Sequence, residues 1–475
     1  MRINWKFGLS LSLIFLVIIR FLAIKNDFWI DEIWSFSNIV TLDSLDKIFT
    51  SIRIDNNHYL NSIILWLLYK FNVLALARIP ALIASVSLLF LIVNSNSKDK
   101  IKISLSLILM GLSFPLIHFG TEVRGYTYLI LFAYLSLLKF QREINTPRDY
   151  FLFHSFQVLA FLSHLSFASM ALSLAICHFI RLINKGQKTS RALLNTIIFE
   201  APSLIFLIFL HFIDLRHIKI GGGPNRAPLK FLGDLSDLYL TRELTLATIF
   251  LLLTILVLLK SRDFISHADT KTREKIFITF LVSFISPVFS FLVTKYYFLN
   301  NTPYPRYFLL SYFVFIYFLI DACEFLLKSS KPFLRNLVKV FLFVFAISNL
   351  WNYSIFLKYG RGQYSKAINY ILANSPNDII NVGIKSNRDL RLFNFYSESL
   401  HPFNKIFNPA LISNPQIKVK GDDWYIEGQV FTGFEEKSEL SIPEMGKFKL
   451  IKTFQSALFS GSTWMLYRKS YDNLQ

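Results

Sequence analysis

The sequence predicts a mainly α-helical, polytopic membrane protein of about eleven transmembrane helices, closed by a small extracytoplasmic α/β domain at its C-terminal end. Three observations carry this expectation. Apolar residues fill 53% of the 475 positions, and they come in long blocks that a soluble core of this size could not hide. The Lys and Arg behind the net charge of +19 gather between those blocks, as cytoplasmic loops of a membrane protein require. Beyond Lys358 hydropathy drops, and Asn, Ser, Gly, Pro and charged residues enter. The loop pattern accounts for the basic charge without nucleic acid. The two cysteines, Cys177 and Cys323, lie inside apolar blocks and supply neither a disulfide framework nor metal-ligand spacing.

A helix needs roughly 20 apolar residues to cross a bilayer, and the blocks are read on that measure. Phe7 to Ile24, preceded by Arg2 and Lys6, is a retained first span with its N-terminus inside, because no small-residue cleavage site follows it. Residues 26 to 75 form an outer loop, polar up to Asn57. Within it, Tyr59 to Phe71 is apolar over only about 13 residues, which suits an interfacial helix and not a span. Further spans follow at Leu76–Val93, Ile103–Phe119, Tyr126–Phe140, Phe151–Leu165, Phe167–Ile180 and Ala192–Ile213. The last four are Leu238–Leu259, Ile276–Val293, Tyr307–Leu327 and Leu337–Leu357. The basic loops then fall on one side, so the N-terminus lies inside and the C-terminus outside. The domains are 1–357, a transmembrane catalytic domain, and 358–475, an extracytoplasmic domain of about 115 residues. In the tail, Tyr364 to Ala373 has helical spacing, while Asp378–Gly383 and Trp464–Tyr467 read as strands.

This topology puts Asp31, Glu32, His58, Glu122, Arg124, His164 and Arg306 on the outer face. Tyr59–Phe71 must not cross, or the basic loops would change sides. Acids at a membrane boundary are costly unless they serve a purpose. Sugar transfer from a lipid-phosphate donor suits such a set. An acceptor hydroxyl is a weak nucleophile, and a carboxylate can take its proton as it attacks the anomeric carbon. The departing polyprenyl phosphate needs no general acid, only positive charge, and Arg presents a planar fork of donors to phosphate. Asp31 is the candidate base.

At these residues the chain resembles the GT-C glycosyltransferases, of the branch with protein O-mannosyltransferases and lipid A aminoarabinose transferase. Asp31-Glu32 matches an acidic pair after the first span. Asn57-His58-Tyr59-Leu60 keeps the His of a His-Pro-Pro-Leu stretch without its prolines. Leu76-Ala77-Arg78-Ile79-Pro80-Ala81-Leu82 is similar to the Arg-Leu-Pro opening of the second span. Gly120-Thr121-Glu122-Val123-Arg124-Gly125-Tyr126 is similar to a Glu-Ala-Arg-x-Tyr segment, Ser163-His164-Leu165 to a Thr-His-Tyr corner, and Pro305-Arg306-Tyr307 to an Arg-Tyr pair. The ordered match covers roughly residues 1 to 360, and its specificity lies in order and spacing. The resemblance implies Asp31 as general base, Glu32 as its support and Glu122 as a second acid of the site. It implies Arg124 and Arg306 on the donor phosphate, and His58, His164 and Tyr126 lining the pocket. It leaves two options for a metal: none, or a divalent ion at Asp31 and Glu122. The partners it implies are a polyprenyl-phosphate-linked sugar, an unidentified glycan, lipid or protein acceptor, and the bilayer of the cytoplasmic (inner) membrane.

Structural alternatives stand beside these roles. Asp31 and Glu32 could solvate a helix end, Glu122 and Arg124 could form an ion pair, and Arg306 could anchor a membrane border by snorkelling. His58 and His164 could bond backbone only. Gly221-Gly222-Gly223 lacks the Lys and Ser or Thr of a phosphate loop and reads as a flexible loop. Asp422-Asp423 reads as a turn. The competing functions are a transporter or lipid-linked sugar flippase, which would favour inverted repeats and mid-membrane polar groups, and a non-catalytic assembly protein. No repeat is visible. Replacement of Asp31 separates an enzyme from both.

Overall fold

The structure, a computed structural model, describes residues 5–54, 56–96, 99–142, 144–218, 244–260, 272–283, 305–399, 406–411, 424–429, 436–442, 446–457 and 461–470, with isolated positions at 236, 239, 285 and 288. The Gly221–Gly223 loop, the Asp422-Asp423 turn, the loop before Arg306 and parts of the spans expected at Leu238–Leu259 and Ile276–Val293 lie outside the described residues. The chain is a mainly helical, multi-pass membrane protein. Among the described residues, six runs are long and apolar enough to cross a membrane: Trp5–Ala23, Leu74–Ser95, Phe167–Asn184, Thr189–His217, Arg306–Leu327 and Pro332–Asn374. Their outward residues, such as Leu11, Ile14, Ile83, Ile205 and Phe209, are exposed leucines, isoleucines and phenylalanines, the surface that lipid solvates.

Two compact units divide the chain. One is Met1–Ile24 with Ser35–Asn352, and the other is Lys25–Trp34 with Tyr353–Gln475. The division departs from the expected one. Lys25–Trp34, read from sequence as the start of an outer loop, belongs with the C-terminal unit, and that unit resumes at Tyr353.

In the first unit the helix Leu309–Leu327 is apolar and buried on nearly every side, as the central member of a bundle must be. The helices Ile79–Ser95 and Tyr126–Gln141 pack together, and Tyr126–Gln141 packs along Pro147–Ser163. The region expected as a polar outer loop is largely helical, with Ile30–Val40, Lys47–Thr50 and Tyr59–Lys70. Tyr59–Lys70 has 12 residues, about 18 Å of helix, well short of a bilayer core.

The expected span Ile103–Phe119 is broken. Helix Lys100–Ser106 passes into a π-helical turn at Leu107–Gly111, and a new helix starts at Phe114–Phe119. Pro115 in the first turn of that helix cannot continue a hydrogen-bond ladder from above. The groups released at the break are taken up by other helices. Arg20 Nη1 donates to the Gly111 carbonyl at 3.0 Å, and Asn349 Oδ1 accepts from the Phe114 N–H at 2.6 Å. Arg20 Nε also donates to Ser85 at 3.1 Å. A single Arg in the first apolar block thus stabilises a break in a distant span.

The second unit is an α/β domain on a six-stranded sheet of order β2-β1-β3-β6-β5-β4. The strands are β1 Ile379–Ile384, β2 Ile406–Leu411, β3 Trp424–Gln429, β4 Glu439–Ile442, β5 Gly446–Phe454 and β6 Thr463–Lys469. β2 and β3 run parallel to β1, and β3, β6, β5 and β4 pair antiparallel. Pro409 lies on β2, an edge strand, where its missing N–H is tolerated. Helices Tyr364–Asn374 and Asn387–Ser399 cover one face. Ser386 caps the second of these: the Asp389 N–H donates to Ser386 Oγ at 3.2 Å, and the same hydroxyl donates to Asp389 Oδ2 at 2.5 Å. The expected helix at Tyr364–Ala373 and strands at Asp378–Gly383 and Trp464–Tyr467 coincide with three of these elements.

Candidate functional site

The predicted site residues divide between the two units. Glu122, Arg124, Tyr126, His58, His164 and Arg306 belong to the membrane unit, whereas Asp31 and Glu32 belong to the C-terminal unit.

In the membrane unit, the segment Gly120–Gly125 turns tightly between two helices and is buried throughout. The Arg124 N–H closes on the Glu122 carbonyl at 2.8 Å. Gly125 lies against the corner after helix Pro147–Ser163, and a Cβ there would fall 1.8 Å from the Ser163 carbonyl oxygen. Only glycine permits this approach, which brings Arg124 and Tyr126 beside His58 and His164. Asn61 secures the same segment by donating to the Val123 carbonyl at 3.1 Å.

His58 is the centre of the cluster. The Ser163 carbonyl can only accept, so Nδ1, 3.2 Å away, carries the hydrogen. Nε2 is then an acceptor for Arg124, whose Nη2 and Nε approach it at 2.9 and 3.3 Å. The His58 ring stacks on His164 with centroids 4.9 Å apart, and Tyr126 tilts over both. Arg124 lies over the Tyr126 ring at 5.3 Å. Tyr307, next to Arg306, adds a further ring at 6.2 Å from His164. Burial first, and then the charges of Arg124 and Arg306, hold His58 well below the usual histidine range. Burial and the same two arginines push His164 down to about 3. Two neutral imidazoles and an aromatic ring therefore line a patch whose charge comes from Arg124 and Arg306. Such a patch suits an anion.

Glu122 is fully buried, and one carboxylate oxygen lies 3.4 Å from Nε2 of the equally buried His118. The sequence reading missed His118. Its signal was the four-residue spacing to Glu122. A second missed contact joins Tyr59 to Asp214, through a hydrogen bond of 2.7 Å from the Tyr59 hydroxyl to Oδ2. Arg78 donates to the Ile24 carbonyl at 2.9 Å.

In the C-terminal unit, Asp31 and Glu32 open the helix Ile30–Val40. Glu32 reaches back to accept the Trp29 N–H at 3.2 Å, the acidic half of a capping box. Asp31 sits in the first turn, where the helix dipole favours a carboxylate. Both are buried. Among the described residues no group of three His, Cys, Asp or Glu side chains gathers as metal ligands. Glu122 and His118 supply two donors together.

No family model matches the chain, and a search of the curated proteins finds no match.

Proposed function

We propose that the protein is an integral-membrane glycosyltransferase. It transfers a sugar from a polyprenyl-phosphate donor to a hydroxyl-type acceptor on the outer face of the cytoplasmic membrane. The proposal includes about eleven spans, a cytoplasmic N-terminus and an extracytoplasmic C-terminal domain. The observation that carries it is the Arg124–Arg306 patch, lined by neutral His58, His164 and Tyr126, as a preformed cradle for a phosphate. The ordered motifs of the sequence support the same reading.

In this mechanism Asp31 takes the acceptor hydroxyl proton while the oxygen attacks the anomeric carbon. The bond from that carbon to the phosphate oxygen breaks, and its electron pair leaves with the polyprenyl phosphate. Arg124 and Arg306 stabilise the phosphate's growing charge. One displacement inverts the anomeric configuration. The test supplies membranes containing wild type or Asp31→Asn with radiolabelled polyprenyl-phosphate hexoses and native extract. A labelled product from wild type alone supports the reading, and equal labelling by Asp31→Asn removes the base.

One observation favours a second reading, transport. Glu200 and Gln157 are buried in the helices Thr189–Ile213 and Pro147–Ser163, and Glu200 lies two residues before Pro202, which sits inside the first of them. The Glu200 carboxyl and the Gln157 amide face each other across the two helices. Mid-membrane acids of this kind mark substrate or proton pathways.

A further inference from the structure

The segment Asn26–Ile33, which carries the acidic pair, is built into the C-terminal domain as if it were one of its elements. Trp29, Ile30 and Ile33 are buried in the core formed by β1, β3, β6 and the helices Tyr364–Asn374 and Asn387–Ser399. Full burial of each such side chain is worth about 1.5–3 kcal/mol.

Polar contacts fix the segment's register as well as its depth. The helix Tyr364–Asn374 has no side-chain cap from its own N-cap residue, Gln363. Asp27 supplies one from elsewhere in the chain. Its Oδ2 accepts the Ser365 N–H at 2.8 Å, and its carboxylate takes the Ser365 hydroxyl at 2.9 Å. The Tyr396 hydroxyl donates to the Phe28 carbonyl at 2.8 Å, and fully buried Arg361 donates to Asn26 Oδ1 at 3.0 Å. Three successive residues are thus each held by a different part of the domain, immediately before the helix that Asp31 and Glu32 open.

We propose that the C-terminal α/β domain is the positioning device of the acidic motif, with Asp27, Ser365, Tyr396 and Arg361 as positioning residues that set where the Asp31 carboxylate sits. This rests on the transferase reading, and it gives the domain a task in the reaction. A carboxylate displaced by about 1 Å loses on the order of a hundredfold in rate. A merely stabilising contact would alter abundance and leave the rate of the folded protein unchanged.

The test uses the full-length protein in detergent, with Ser365→Ala, Ser365→Thr and Tyr396→Phe. Two quantities are read: amide hydrogen exchange at 26–33, and kcat and KM for polyprenyl-phosphate hexose transfer, with Asp31→Asn run alongside. Expected are faster exchange at 26–33 in Ser365→Ala with exchange in β1 and β6 unchanged, kcat down about tenfold or more at unchanged donor KM, and recovery of both in Ser365→Thr. Unchanged exchange overturns the anchoring of residues 26–33 by the domain. Faster exchange with unchanged kcat, in an assay where Asp31→Asn is inactive, overturns the positioning role and leaves the transferase reading standing. Full activity of Asp31→Asn overturns the base assignment, and with it the positioning role.

Discussion

Arg124 Nη2 lies 2.9 Å from Nε2 of His58, and the Ser163 carbonyl, 3.2 Å from Nδ1, fixes which face of that imidazole accepts. The guanidinium is therefore aimed by a neutral base that is itself aimed by backbone. Arg124→Ala removes the charge, and transfer is expected to fall by about 10²–10³. His58→Phe keeps a ring against His164 and Tyr126 but gives up both hydrogen bonds. A smaller loss, about tenfold, is expected, because the charge remains and only its aim is lost. Steady-state kinetics at saturating donor check both. Equal losses in the two variants would mean that His58 touches the substrate itself.

The two histidines also make stability depend on pH, and the direction follows from their neutrality. Each is protonated in the unfolded chain below about pH 6.5, and each stays neutral in the folded protein to a lower pH. The unfolded state then binds more protons, so stability falls as pH falls. For His164 the window runs from about 6.5 down to about 3. Each histidine contributes a slope of about 1.4 kcal/mol per pH unit within its window. Denaturant unfolding in detergent between pH 7 and 5 should show this slope, and His58→Phe should remove one proton's share of it.

Much of this site was legible in the sequence because short motifs carry it: Asn57-His58, Glu122-Val123-Arg124-Gly125-Tyr126, Ser163-His164 and Arg306-Tyr307 are local signals. The attachment of Lys25–Trp34 to the C-terminal domain was not legible. Trp29, Ile30 and Ile33 meet strands hundreds of residues away, and nothing local distinguishes an apolar residue that packs on a sheet from one that enters lipid. The break at Gly111–Phe114 was hidden for a related reason. Pro115 near the end of an apolar block is compatible with a continuous span until the donors that relieve it, Arg20 and Asn349, are seen. The helix Asn387–Ser399 did have a signal, Ser386-x-x-Asp389 followed by Leu392, Phe393 and Tyr396, which the polar residues between them obscured.

Gly125 is required by contact and not by backbone angle. Its φ is −70°, open to any residue, yet a Cβ would fall 1.8 Å from the Ser163 oxygen. Gly125→Ala must push the Glu122–Arg124 turn away from the corner that holds His164. Overpacking of this kind costs about 1–3 kcal/mol. The variant is expected to melt lower and to lose transfer out of proportion to its abundance.

Arg20→Met keeps the length of the side chain and removes its donors. The Gly111 carbonyl and Ser85 then lose their partner inside the bundle. A loss of about 1–3 kcal/mol per stranded group is expected, read as reduced thermal stability in detergent. Arg20→Lys should recover part of it, since one ammonium can reach one of the two acceptors but not both in the same geometry.

Glu200→Gln decides between the two functional readings, because Glu200 and Asp31 cannot both be the centre of the chemistry. The substitution keeps shape and hydrogen-bonding capacity and removes the charge. If the protein transfers sugar at the outer face, labelled product from a polyprenyl-phosphate hexose should stay within about threefold of wild type, whereas Asp31→Asn should abolish it. If the protein moves a substrate through the membrane, the dependence reverses: uptake or release across sealed vesicles should fail in Glu200→Gln and survive in Asp31→Asn. The buried position of Glu200 beside Gln157 makes the variant tolerable to the fold, since it relieves a buried carboxylate instead of stranding one. A change in function therefore speaks to chemistry.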